Sequence, residues 1–183
     1  MARVLVPLAE GCEELEAVTL IDLLRRGGVE VVAAGLDGEP VHCSRGTVIV
    51  PDAALDAVLD DAFDMIVMPG GLAGATRLRD DDRVAGLLHR TLDAGGRAAA
   101  ICAAPQVLEK AGLLENRRFT AFPGVVEKVS GGAKTSTGTV IERDGPILTS
   151  RGPGTAMDFA LELVEQLTDR ANREQVEAAL QRP

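Results

Sequence analysis

The 183-residue chain has no tryptophan, no tyrosine and only four phenylalanines, so its core must be closed by aliphatic side chains. Its three cysteines, Cys12, Cys43 and Cys102, are odd in number and widely spaced, and no basic, apolar, small-residue leader precedes them. A secreted disulfide framework is therefore not expected, and the chain reads as cytoplasmic with reduced thiols. No apolar run approaches the roughly 20 residues of a membrane span. Basic residues are outnumbered, 19 against 28 acidic, and the net charge of −9 repels phosphate backbones and anionic lipid. There are only two histidines, His42 and His89, and with three scattered cysteines they offer no tetrahedral spacing, so no metal site is expected. Internal repeats, low-complexity tracts and linkers are also missing, which leaves one domain over residues 1–183.

What the chain does contain is an alternation of apolar runs and helical periods. "RVLVPL" (3–8) reads as a strand, and "EELEAVTLIDLLRRGG" (13–28) places Leu15, Val18, Leu20, Ile21 and Leu24 at helical spacing before two glycines. Further strands are expected at 29–36, at 47–55 ending near Pro51, at 63–71 and at 97–102, with helices at 83–96 and 104–114. Strands at 118–122, 139–143 and 147–150 precede an amphipathic helix at 155–167 and a polar one from about Arg170. Wholly apolar strands alternating with helices imply a parallel sheet covered on both faces, because each crossover lays a helix against it. The fold class expected is a doubly wound α/β sandwich.

Ligands of such folds bind beyond the carboxyl ends of the strands. Four strand exits are then candidates: "AEGCEELE", "MPGGLAG", "AAAICAAP" and "SRGPGT". In the third, a strand delivers Cys102 into a tight turn before a helix, the pattern of a nucleophile elbow with small residues, Ala103 and Ala104, in the crowded positions. The positive end of the following helix is expected to favour a thiolate, the reactive form of the side chain. Gly70 and Gly71 suit a turn in which an oxygen must reach backbone N–H groups. "RGPGT" (151–155) lacks the lysine of a phosphate loop and reads as a turn whose proline opens a helix. Glu13 and Glu14 read as solvated acids at a helix start, and Cys12 and Cys43 as packing residues.

The segments "GCEELEAV" (11–18), "CSRG" (43–46), "MPGG" (68–71), "AAICAAP" (99–105) and "LTSRGPGTAMDFAL" (148–161) stand in the order and spacing of one superfamily. On these the chain resembles the ThiJ/PfpI superfamily, in the branch of the parkinsonism-associated protein deglycase and its bacterial relatives. The resemblance implies a flavodoxin-like sandwich, a homodimer, and a reactive, oxidisable Cys102 to which Glu16 hydrogen-bonds. It implies an oxyanion site from the amides of Gly71 and Ala103, beside Gly70, and places Arg45, Arg26, Ser150 and Pro153 around the pocket and dimer contact. The implied activities are cofactor-free, glutathione-independent glyoxalase action on small 2-oxoaldehydes, deglycation of early glycation adducts, and a redox-linked chaperone role. Nucleic acid would enter only as a glycated substrate.

Two departures narrow this expectation. Hydrolase-like members carry His directly after the nucleophile, where this chain has Ala103, so a Cys-His protease is not expected. The animal branch carries a His where Phe122 stands, so that group cannot assist here. A carboxylate beside a thiolate would repel it, so Glu16 is expected to be protonated and to donate to the sulfur. Two functions remain, both resting on Cys102: a cysteine-dependent glyoxalase or deglycase, and a redox sensor or chaperone without physiological turnover.

Overall fold

The apolar run β1 (Arg3–Leu8) is buried along almost its whole length and ends at a loop that feeds α1 (Glu14–Arg26). Glu13 caps α1, its carboxylate accepting from the Glu16 amide at 2.8 Å. In this computed structural model, which describes residues 1–126, 135–136 and 138–182, the chain continues through β2 (Glu30–Gly35), β3 (Val41–His42), β4 (Val48–Ile49) and β5 (Ala53–Ala54). Next come β6 (Met65–Met68), α2 (Leu72–Asp80), α3 (Asp82–Asp93), β7 (Arg97–Ile101) and α4 (Pro105–Lys110). The last part holds β8 (Arg118–Phe119), α5 (Pro123–Val126), β9 (Thr135–Ser136), β10 (Ile141–Asp144), β11 (Ile147–Ser150), α6 (Ala156–Leu167) and α7 (Arg170–Ala179).

Seven strands form the main sheet in the order β10-β11-β7-β6-β1-β2-β5. All its neighbours are parallel except the β10–β11 pair. Order reverses at β1, which has β2 on one side and β6 on the other, so the crevice of a doubly wound sheet falls at its carboxyl end. Helices cover the sheet, with α1 against α6 and α2 against α4. The core is aliphatic as the composition requires, built on Leu5, Leu8, Leu20, Leu24, Met65, Ile66 and Leu88, with Phe119 and Phe159 the largest side chains fully enclosed. Expectation and structure agree on an α/β sandwich.

Local departures have physical reasons. The strand expected over 47–55 is two pieces: Val48–Ile49 pairs only with β3 in a hairpin, and Ala53–Ala54 joins the main sheet. Pro51 has no N–H to give a ladder, and Asp52 makes the junction instead, accepting from Ala33 N at 2.8 Å and from Arg25 at 2.6 Å. Helix α2 lies in a stretch, 72–80, for which the sequence predicts no element. Its Gly74 is required there, because a Cβ would fall 2.6 Å from the Cys12 backbone. Helix α4 ends at Lys110, short of the expected 114, and β8 ends at Phe119 rather than 122.

Candidate active site

Cys102 follows the last residue of β7 and adopts φ 62°, the left-handed region that costs a side-chain-bearing residue about 1–2 kcal/mol. Neighbouring backbone fixes the conformation. The Cys102 amide donates to Ser150 O at 3.0 Å, and its carbonyl accepts from Phe122 N at 2.9 Å. The thiol, 8% exposed, is thereby pushed out of the sheet into a cavity of about 570 Å³. Glu13, Arg45, Gly71, Ala103, Phe122 and Pro153 are among the residues lining that cavity.

Glu16 lies in the first turn of α1 and is wholly buried. Its Oε2 accepts from Gly70 N at 2.7 Å. Its Oε1 is buried without a hydrogen-bond partner among the described residues. The Cys102 thiol is a neighbour close enough to this carboxyl to share a proton with it. The amides of Gly71 and Ala103 hydrogen-bond to the Cys102 sulfur as well. Gly70 and Gly71 make this convergence possible. A Cβ on Gly70 would sit 2.7 Å from both Cys102 Cβ and Glu16 Oε2, and one on Gly71, at φ 81°, would fall 2.6 Å from Glu13 N.

Electrostatics couple the two side chains. Burial lifts the Glu16 carboxyl to about 7, against the pull of the Gly70 amide and the Cys102 thiol. Burial, and then the charge of an ionised Glu16, push the Cys102 thiol up to about 12, against the two amides that favour its thiolate. The expected lowering by the following helix is therefore not what dominates: α4 is short, and enclosure and the carboxylate outweigh it. Near neutral pH the pair gives up one proton and keeps one. Two amides point at the sulfur and one at the carboxyl, whose second oxygen has no donor. That arrangement favours negative charge on sulfur and the retained proton on Glu16.

Of the sequence-derived residues, Cys102, Gly71, Ala103, Arg45 and Pro153 line the cavity; Glu16 and Gly70, hydrogen-bonded to each other, adjoin Cys102 without lining it, and Arg26 and Ser150 are not among the cavity residues. Arg26 is in the last turn of α1, ten residues or about 15 Å from Glu16, where it pairs with Asp22 at 2.7 Å. Ser150 is fully buried behind the elbow; its hydroxyl donates to Val140 O at 2.8 Å and shares a hydrogen bond with Thr155 Oγ1 at 2.7 Å. Glu14, expected to be solvated, instead gathers the Cys43–Thr47 turn. Its carboxylate accepts from Ser44 Oγ at 3.1 Å, Arg45 N at 2.9 Å and Thr47 N at 3.3 Å. Only the "CSRG" segment hinted at this, by supplying a tight turn with free amides.

The model of the DJ-1/PfpI family matches residues 2–166. The chain belongs to the DJ-1/PfpI family. It is 41% identical over 177 residues to "Protein dj-1beta" of Drosophila melanogaster, covering 96% of this chain and 95% of that protein. The crystal structure of Drosophila melanogaster DJ-1beta superimposes with a TM-score of 0.94 at 40% identity, over 98% of this chain and 97% of that one. "Glutathione-independent glyoxalase DJR-1.2" of Caenorhabditis elegans is 40% identical over 166 residues, 91% of this chain and 88% of that protein. A structure described as "Toxoplasma gondii DJ-1, oxidized" has a TM-score of 0.93 at 38% identity, covering 98% of both chains. The mostly parallel seven-stranded sheet with its flanking helices is thus the DJ-1 fold.

Proposed function

We propose that this protein is a cysteine-dependent glyoxalase acting on small 2-oxoaldehydes, with the same chemistry extending to early glycation adducts. One observation carries the reading: a buried carboxyl with an unpaired oxygen hydrogen-bonds a thiol held at φ 62° in the wall of an open cavity. The relative named a glutathione-independent glyoxalase is consistent with it. The Cys102 thiolate adds to the aldehyde carbon; a C–S bond forms, and the carbonyl electron pair moves to oxygen, which takes the Glu16 proton. Glu16, now ionised, removes the hydrogen of that carbon and returns it to the neighbouring ketone carbon as electrons shift through an enediol. The product is a thioester of a 2-hydroxy acid. Water then cleaves the C–S bond, releasing the acid and restoring the thiolate and the protonated Glu16. The amides of Gly71 and Ala103, which hold the sulfur at rest, lie where an oxygen on the attached carbon can also reach them. Turnover of methylglyoxal to lactate without glutathione, in the presence of a chelator, tests the reading. Cys102→Ala should abolish it; chelation should not.

A second reading is favoured by the relative described as oxidised: Cys102 acts as a redox sensor, and turnover is incidental. It requires lactate yield to stop near one equivalent per protomer. Assembly as a homodimer is proposed on a separate observation. Leu15 and Val18 of α1 are 52% and 50% exposed, and Val48 and Val50 of the neighbouring hairpin 48% and 75%. Such a cluster suits a second copy of the chain.

A further inference from the structure

Two thiols that take no part in this chemistry lie in contact. Cys12 is in the loop before α1 and Cys43 follows β3, 31 positions away, yet their sulfurs are 3.5 Å apart and both are free and buried. The backbone on either side is stitched together. Gly11 N donates to His42 O at 2.7 Å, Ser44 N donates to Cys12 O at 2.8 Å, and Glu14 holds the turn that follows. We infer that Cys12 and Cys43 form a second redox site, oxidised by a hydroperoxide to an intramolecular disulfide and reset by a thiol reductant.

A disulfide needs an S–S distance of about 2.05 Å, so the sulfurs must close by roughly 1.5 Å. Cys43 can supply that movement, because among the described residues β3 and β4 pair only with each other and the turn between them, residues 44–47, is exposed. Such a peripheral hairpin opens without disturbing the main sheet. Cys43, 7% exposed against 0% for Cys12, is the sulfur a peroxide meets first. Its thiolate attacks the O–O bond, giving a sulfenic acid and releasing one molecule of alcohol or water. Cys12 then attacks that sulfur, the S–O bond breaks, and the hydroxyl leaves as water. Overall the two thiols lose two protons and two electrons, and one hydroperoxide is reduced. Burial holds both thiols above their usual range, so the reaction waits on hairpin opening and answers sustained rather than brief oxidant. Gly11, Glu13, Ser44 and Arg45 flank the two cysteines and also line the Cys102 cavity, so the bond would tie two walls of that cavity together.

The test uses Cys102→Ala, with folding checked by circular dichroism, so that oxidant is not consumed at Cys102. After hydrogen peroxide, thiols are blocked, the protein is denatured, and peptides are mapped without reduction. The expected result is one intrachain link between the Cys12 and Cys43 peptides, a loss of two hydrogens, and full reversal by dithiothreitol. The same link should form in the unaltered protein and change the rate at which iodoacetamide reaches Cys102. The inference is overturned if both cysteines remain free thiols, if either is driven to a sulfinic acid without linking, or if Cys43 links instead to Cys102 or to another chain. Cys12→Ser should lose the link and leave a sulfenic acid at Cys43 that dimedone traps; should that variant not fold, the map of the unaltered protein decides.

Discussion

At Cys102 a strained backbone, a buried acid and two amides meet on one sulfur. The strain is sustained because Ser150 O and Phe122 N hold the residue from both sides. Glu16 decides what the sulfur can do. If it carries the retained proton, Glu16→Leu removes a donor to the thiolate, and the pH at which iodoacetamide alkylation switches on should rise by about one unit or more. A fall would mean that Glu16 acts as a repelling carboxylate. Gly70→Ala tests the geometry, since its Cβ would collide with Cys102 and Glu16. Turnover should drop at least about a hundredfold with a loss of about 1–3 kcal/mol in stability, read from kcat/KM and urea unfolding. Retained turnover would show that the two groups need not touch.

Elements carry the site to its place: α1 brings Glu16, the β6–α2 turn brings Gly70 and Gly71, β7 brings Cys102, and the hairpin turn brings Arg45. Glu14 fastens that turn to α1. Glu14→Ala should raise KM several-fold while leaving the Cys102 alkylation rate within about twofold, because it loosens one cavity wall without touching the sulfur. Equal losses in kcat and kcat/KM would place Glu14 in the chemistry instead. Strands and long helices were legible because apolar runs and helical periods end at glycine or proline. The elbow was legible from an apolar strand running into a cysteine and small residues. Helix α2 was not, because Gly74 and three charged residues mask its period, and the glycine answers to Cys12 across the fold. Nor could the sequence show that Glu14 meets Ser44 or that Cys12 meets Cys43, contacts made only when β1 and the hairpin are brought together. Arg26 shows the converse: a residue carried over by resemblance lies a helix length from the pocket.

On the scale of the whole molecule, a buried acid makes stability depend on pH. The Glu16–Cys102 pair gives up its first proton near 4.5 when unfolded and at about 7 when folded, so the folded state holds an extra proton between these values. Its contribution is complete below about 4.5 and is lost as pH rises through 7, about 3 kcal/mol in all. Urea unfolding across that range should show the decline, and Glu16→Gln should flatten it. The exposed α1 and hairpin face gives a second expectation: Val50→Glu should shift a sedimenting dimer to monomer, and an unaltered protein that is already monomeric would refute the proposed assembly. The most direct measurement of the proposed chemistry is the amount of lactate formed per protomer from excess methylglyoxal, without glutathione, by the unaltered protein and by Glu16→Gln. The expected result is many equivalents from the first and none from the second, whose Cys102 still captures aldehyde. Yield that stops at one equivalent in the unaltered protein, or continues in the Gln variant, would contradict a Cys102–Glu16 catalytic pair.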